Sequence, residues 1–264
     1  MKNFSLIPTH KLWLIACLLT LLSCQPALTS DQQVSTSHAS VDHEKWERLL
    51  KKWVSEDGWV DYDGFLTEKD QLEVYLKELA AHPPTEDCGE KQALAYWINA
   101  YNAFTVKLIL DHYPIESITD LHTIPVVATI WKKKFFQIGS QEMSLHIIEH
   151  KILRKDFREP RIHFAINCAS VSCPVLRQEA YTAKKLETQL TDQAERFLAD
   201  PLRNQVTADK VKISQIFLWF RSDFTEKGGL IDFLNQYASV EINTRAKVSY
   251  LSYDWKLNER QKQL

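Results

Sequence analysis

Ala93-Leu94-Ala95-Tyr96-Trp97-Ile98-Asn99-Ala100-Tyr101-Asn102-Ala103-Phe104 is apolar on almost every side of the helix that its residues favour. A surface helix keeps a polar face, so this run predicts a central, buried helix over about residues 86 to 113, with the rest of the fold wrapped around it. Two amphipathic helices lead into it. Residues 43 to 55 space Trp46, Leu49, Leu50, Trp53 and Val54 three and four apart, with Gly58 placed to close the helix. After an extended turn at Val60 to Phe65, Thr67 reads as the N-cap of a helix that buries Leu72, Tyr75, Leu76 and Leu79 and stops at Pro83-Pro84.

Beyond Pro114 the pattern shortens and mixes. Residues 126 to 130 and 134 to 138 read as strands, the second turning at Gly139-Ser140, and Ser144 caps a helix over 145 to 155. Residues 161 to 168, after Pro160, read as the clearest strand in the chain. A helix over 184 to 199, a hairpin over 205 to 214, a helical stretch over 216 to 237 broken at Gly228-Gly229, and a last strand over 248 to 255 complete the series. With no repeat and no second linker, the expected architecture is α+β: a single domain from about 41 to 264 with a buried central helix, several flanking helices and a small, mainly antiparallel sheet.

Composition excludes several classes of protein. The chain has 264 residues, 45% of them hydrophobic and 25% charged, with 6 Gly and 9 Pro. It is therefore neither collagen-like nor low-complexity nor largely disordered. A formal charge of −2 supplies no basic excess for a phosphate backbone, so nucleic acid is not an expected partner.

The first 23 residues carry Lys2 and Lys11, no acid, and an apolar run from Leu12 to Leu22. That is a signal-peptide core, too short to span a bilayer. It ends in Leu21-Leu22-Ser23-Cys24, which resembles the lipobox of bacterial lipoproteins. The resemblance implies acylation of Cys24, and Gln25 after it implies the outer membrane, facing the periplasm. Residues 24 to 40, rich in Ser, Thr, Gln and Asp, read as a flexible tether. Of the five cysteines, Cys88, Cys168 and Cys173 are then left for the domain. In an oxidising compartment a Cys168–Cys173 disulfide would leave one free thiol.

Three places invite chemistry. His146-Ile147-Ile148-Glu149-His150 spaces two imidazoles at i and i+4 on one helix face, as in a zinc hydrolase with Glu149 as base, though no third ligand announces itself. In Arg161 to Pro174, strand alternation would put His163 and Asn167 on a polar face and Cys168 toward packing, with Cys173 in the following loop able to fold back over His163. Cys88 precedes the buried helix, whose dipole favours a thiolate. Asn99 and Asn102, polar on the most apolar helix, must be satisfied if buried. They either hold loop backbone near Cys173 or point into a cleft, with Arg154 and Asp223 as their charged counterparts.

Ala95 to Ala103, Ser144-Leu145 with Ile148-Glu149-His150 and Ile152-Leu153-Arg154, Arg161 to Ser170 with Ser172-Cys173-Pro174, and Tyr253-Asp254-Trp255-Lys256-Leu257-Asn258 together resemble the family of domains of unknown function 547. The resemblance runs from about Trp46 to Asn258. It implies no agreed activity, but it weakens the metal reading, since the family's pattern has Asp at the place of His146. It also turns attention from Cys88, which matches no motif, to His163, Cys168 and Cys173.

Two functions follow. One is an envelope-anchored lipoprotein that acts as a binding or structural module for an envelope protein or peptide-like ligand, with Cys168 and Cys173 bridged. The other is a thiol-dependent, papain- or transglutaminase-like hydrolase or transferase acting on peptide or cell-envelope amides. There Cys173 or Cys168 is the nucleophile, His163 or His150 the base, and Glu149 or Asn167 the orienting group. Asn99, Asn102, Asn167 and Arg154 are the expected binding residues, and no cofactor or metal is expected.

Overall fold

A computed structural model describes residues 41–123 and 129–260. The leader, the tether and residues 126–128 of an expected strand lie outside the described residues. Helix α1, Glu44–Trp53, turns Trp46, Leu49 and Leu50 inward, and carries Glu44 and Glu47 in its first turn and Lys51 and Lys52 in its last. Those charges complement the helix dipole at both ends. Trp46 stacks on Tyr75 of α3, Lys69–Ala81, with ring centroids 5.9 Å apart.

Between them Val60 to Phe65 is not simply an extended turn. Asp61 accepts the Gly64 N–H at 2.8 Å and caps a short helix, α2, Tyr62–Thr67. Thr67 therefore ends α2 instead of capping α3, and its hydroxyl donates to the Gly64 carbonyl. Gly64 lies against the Trp53 ring, so closely that a Cβ there would overlap it. Gly64→Ala is expected to displace Trp53, break its indole N–H bond to Glu68 and cost about 1–3 kcal/mol, the usual range for overpacking. Urea unfolding measures this loss; an unchanged midpoint would show that Trp53 moves aside freely.

Helix α4, Glu90–Leu110, is the buried centre, with fifteen residues from Leu94 to Leu110 inside. Phe136 of β1, Phe136–Ile138, stacks on Phe104 of α4 at 3.7 Å. β1 pairs antiparallel with β2, Gln141–Met143, through a turn at Gly139, whose φ of +58° suits glycine. Before this hairpin, Thr129 and Ile130 enter a 3₁₀ turn and not a strand. After it the helix capped by Ser144 is continuous from Leu145 to Asp156, but only its ends, α5 (Leu145–Ile147) and α6 (Arg154–Asp156), are α-helical. Ile148–Leu153 between them is a π-helix.

The expected strand over 161 to 168 is instead helix α7, Ile162–Ala165, followed by extended backbone. All four α7 residues are buried. Periodicity cannot separate a short strand from a helix turn with no exposed face. α7 sits between two apolar clusters: Ile162 and Ala165 belong to the one around α1, α3 and α4, and Phe164 to the other. The second cluster is closed by α8 (Leu186–Ala199), α9 (Ile216–Trp219), α10 (Arg221–Thr225) and α11 (Leu230–Asn235).

A three-stranded sheet flanks the second cluster. β3 (Gln205–Val206) runs antiparallel to β4 (Lys210–Ile213), which pairs in parallel with β5 (Lys247–Tyr250). Past β5 the chain leaves the ladder and runs alongside residues 170–172, where Val171 N–H donates to the Lys256 carbonyl and Ser172 N–H to that of Asp254. The fold is α+β, a single domain around a buried helix with small, mainly antiparallel sheets. No helix among the described residues is long and apolar enough to cross a membrane.

Candidate functional site

Three buried asparagines hold the segment that carries the thiols. Asn102 of α4 donates to the Ala165 carbonyl at 2.9 Å and accepts the Asn167 N–H at 2.8 Å, which fixes the exit of α7. Asn167 then spans the following loop, donating to the Pro174 carbonyl at 2.7 Å and accepting the Ala169 N–H at 2.9 Å. Asn258 donates to Asn167 Oδ1 and accepts from the Tyr62 hydroxyl. Ala169 has φ +62°, a conformation disfavoured for a side chain with a Cβ and found where surroundings over-determine the backbone. Asn99 binds the backbone of Tyr181 through both ends of its amide. None of Asn99, Asn102 and Asn167 is among the residues that line the cavity described next; of the two asparagines on α4, Asn102 holds the backbone that leads into the thiol loop, and Asn99 holds that of Tyr181. Arg154 and Asp223 are not their counterparts but pair with each other.

Cys168 and Cys173 face each other across this loop. Both thiols are free, their Sγ atoms are 2.7 Å apart, and the Cys168 N–H donates to Cys173 Sγ at 2.8 Å. Cys173 is buried and Cys168 half-buried. Ser170 donates to the Tyr253 hydroxyl at 3.1 Å, whose own proton then has Cys168 Sγ as acceptor at 3.4 Å. The hydrogen bond from Cys173, helped by Ser170 and Tyr253, holds the Cys168 thiol below the ordinary cysteine range against the effect of burial. Burial and the Cys168 charge push Cys173 up. Of the two thiols, Cys168 is the one favoured to lose its proton.

Both thiols line a cavity of about 320 Å³. Its polar wall holds His146, Glu149, His150 and His163, and its apolar wall Trp131, Trp219, Phe220 and Trp255. His163 on α7 is buried, stacks on Phe220 at 4.1 Å, and puts Nε2 2.8 Å from Asp223 Oδ2. A carboxylate only accepts, so Nε2 carries the proton and Nδ1 is left as the basic nitrogen. Arg154 grips Asp223 through Nε at 2.6 Å and Nη2 at 2.8 Å, and its Nη1 donates to His150 Nδ1 at 2.7 Å. Burial opposes the Asp223 charge, but Arg154 and His163 together hold that carboxyl well below its usual range. Burial lowers His163 and brings His150 down to about 4, so both imidazoles are neutral near pH 7.

Glu149, in the π-helix, is buried with Tyr101 Oη 3.5 Å from its Oε2. Burial first, then the neighbouring Cys168 charge, push its carboxyl up to about 7. π-helical turns recur at functional sites, and this one puts Glu149 and His150 on the cavity wall. His146 reaches the same wall, its ring 4.4 Å from that of His150. Among the described residues no group of three His, Cys, Asp or Glu is placed to hold a metal ion, so the H-x-x-E-H spacing finds no third ligand. Cys88 lies away from the cavity in the turn before α4, and burial raises its thiol.

The loop, the π-helix and α4 fall in one stretch of the chain. Residues 85–198 match the family described as a protein of unknown function, DUF547. The DUF547 match spans both thiols, Glu149, His150, Arg154 and His163, whereas Asp223 and the Tyr253 to Asn258 segment lie beyond it. No curated protein and no solved structure matches the chain. Within the DUF547 stretch the sequence marked the thiols and His163, but not the group that orients His163. Asp223 lies 60 residues further on, and no local spacing connects the two. The aromatic wall was likewise invisible, because Trp131, Trp219 and Trp255 converge from three separate segments.

Proposed function

We propose that this protein is a thiol-dependent hydrolase or transferase acting on peptide or cell-envelope amides, with Cys168 as nucleophile and the Asp223-oriented His163 as base. The observation that carries the reading is that Cys168 and His163 line one cavity, with His163 Nε2 fixed by Asp223 at 2.8 Å. In this scheme His163 Nδ1 takes the proton of the Cys168 thiol, the resulting thiolate adds to the carbonyl carbon, and the imidazolium passes that proton to the departing amine as its C–N bond breaks. Water or an acceptor amine then takes the acyl group, with His163 accepting its proton. The sequence leads us to place this chemistry at the cell envelope, with the chain anchored by lipid on Cys24 in the outer membrane and facing the periplasm. Mass spectrometry of the amino-terminal peptide from the membrane fraction tests the anchor; an unacylated Cys24 would remove it.

The nucleophile is tested with p-nitrophenyl acetate as an acyl probe. A burst of nitrophenolate is expected, with one acetyl group on Cys168 by mass mapping. Cys168→Ser should reduce the burst about tenfold or more, and Asp223→Asn should slow deacylation about tenfold, as expected when an orienting group is lost. Acetylation elsewhere, or none, overturns the reading. A Cys168–Cys173 bridge in the isolated protein, together with no acylation, would favour the binding module instead.

A further inference from the structure

We propose that Cys168 and Cys173 act as a dithiol in exchange with disulfides, Cys168 attacking and Cys173 resolving. The proposal rests on the reading of Cys168 as a nucleophile but goes beyond acyl transfer, because an acyl nucleophile has no need of a second thiol in contact with it.

The geometry separates the two roles. Both residues border the cavity, but Cys168 is half-buried, so an incoming sulfur can reach it, whereas Cys173 is only 3% exposed. The Cys168 N–H is directed at Cys173 Sγ, and Arg203 Nε donates to the Cys173 carbonyl. The loop between the thiols is held at both ends by Asn167 and carries the left-handed Ala169. Cys173 is thereby kept against the sulfur that it must attack. The thiol favoured to lose its proton is the more accessible one, and the thiol raised by burial is the less exposed one. This is the asymmetry that ordered exchange requires.

The chemistry balances with a disulfide, R–S–S–R, as the oxidant. Cys168 thiolate attacks one sulfur, the R–S–S–R bond breaks, and Cys168–S–S–R forms with release of RS⁻, which takes up the proton that Cys168 had lost. Cys173 then attacks Cys168 Sγ. The mixed disulfide breaks, Cys168–S–S–Cys173 forms, and the second RS⁻ leaves with the proton of Cys173. Two electrons pass from the pair to the disulfide, which ends as two thiols. The oxidised pair has no thiolate to attack a carbonyl, so exchange also silences the acyl chemistry.

The test uses the reduced full chain with oxidised glutathione as probe, followed by intact mass and disulfide mapping. In wild type the pair is expected to lose two hydrogens, with a Cys168–Cys173 bridge and no glutathionyl group on either residue. Cys173→Ser should accumulate one glutathionyl group on Cys168, and Cys168→Ser should react at least tenfold more slowly. A stable glutathionyl group mapped to Cys168 or Cys173 of wild type would overturn the proposal, as would first attack at Cys173 or a native bridge that dithiothreitol cannot open without unfolding. The wild-type mass change needs no variant to fold. Acetylation of Cys168 in Cys173→Ser, read in parallel, separates the two readings. If acylation persists while wild type forms no bridge, exchange fails and acyl transfer stands; if the bridge forms in order without acylation, the reverse holds.

Discussion

Asn102→Ala is expected to lower the unfolding free energy by about 2–5 kcal/mol and to loosen the thiol loop in the same step. The Asn102 amide is 2% exposed and satisfies two main-chain groups, the Ala165 carbonyl and the Asn167 N–H. Alanine leaves both buried without partners, and each such group costs about 1–3 kcal/mol. Helix propensity offsets only a few tenths of that. Asn99→Ala makes the matching comparison, since Asn99 is 0% exposed and also holds one carbonyl and one N–H, both of Tyr181. Both variants should lose similar stability in urea. Only Asn102→Ala should also change the rate at which iodoacetamide alkylates Cys168 in the folded protein, because only Asn102 fixes the exit of α7. Equal effects on alkylation would show that reactivity follows global stability and not loop position.

These asparagines show which features a sequence can reveal. Two amides on the most apolar helix oppose helix propensity and the cost of burial, so their presence already demanded partners. Their sequence could not supply the partners, which lie 63 to 82 residues away. The α4 run was legible because burial on all sides leaves a composition that no surface helix has. The same property defeated the reading of α7, where Ile162, His163, Phe164 and Ala165 are all inside and show no face. The error carried into the site: strand alternation opposed His163 and Cys168, whereas the helix turn and the extended segment after it bring both to one cavity. The π-helix left no trace in periodicity, since apolar residues at Ile148, Ile152 and Leu153 suit an α-helix equally well. Asp223 required the tertiary fold, because its pairing with His163 and Arg154 joins α10 to α7 and to the end of the π-helix.

The Glu149 carboxyl makes the second large effect a function of pH. Its folded value of about 7 lies above the ordinary 4.5, with burial as the main cause. A group raised in this way contributes stability that is fully present below 4.5 and is lost as pH rises through about 7. Over that range the loss amounts to about 3 kcal/mol, at about 1.4 kcal/mol for each tenfold change in proton affinity. A glutamine in its place would stay neutral and still accept from the Tyr101 hydroxyl. Glu149→Gln should therefore match wild type in urea at pH 4.5 and exceed it by about 3 kcal/mol at pH 9. His43, His150 and His163 are lowered in the fold, so their contributions fall away on the acid side, equally in both proteins, and cancel in the difference. The charge on Cys168 supplies part of the Glu149 shift, so the gain should shrink when both proteins also carry Cys168→Ser. Parallel pH profiles would mean that water reaches Glu149 and relieves its burial. A gain in stability with a loss of Cys168 reactivity would mark a buried acid retained at a cost to the fold, as expected of a group kept for its chemistry.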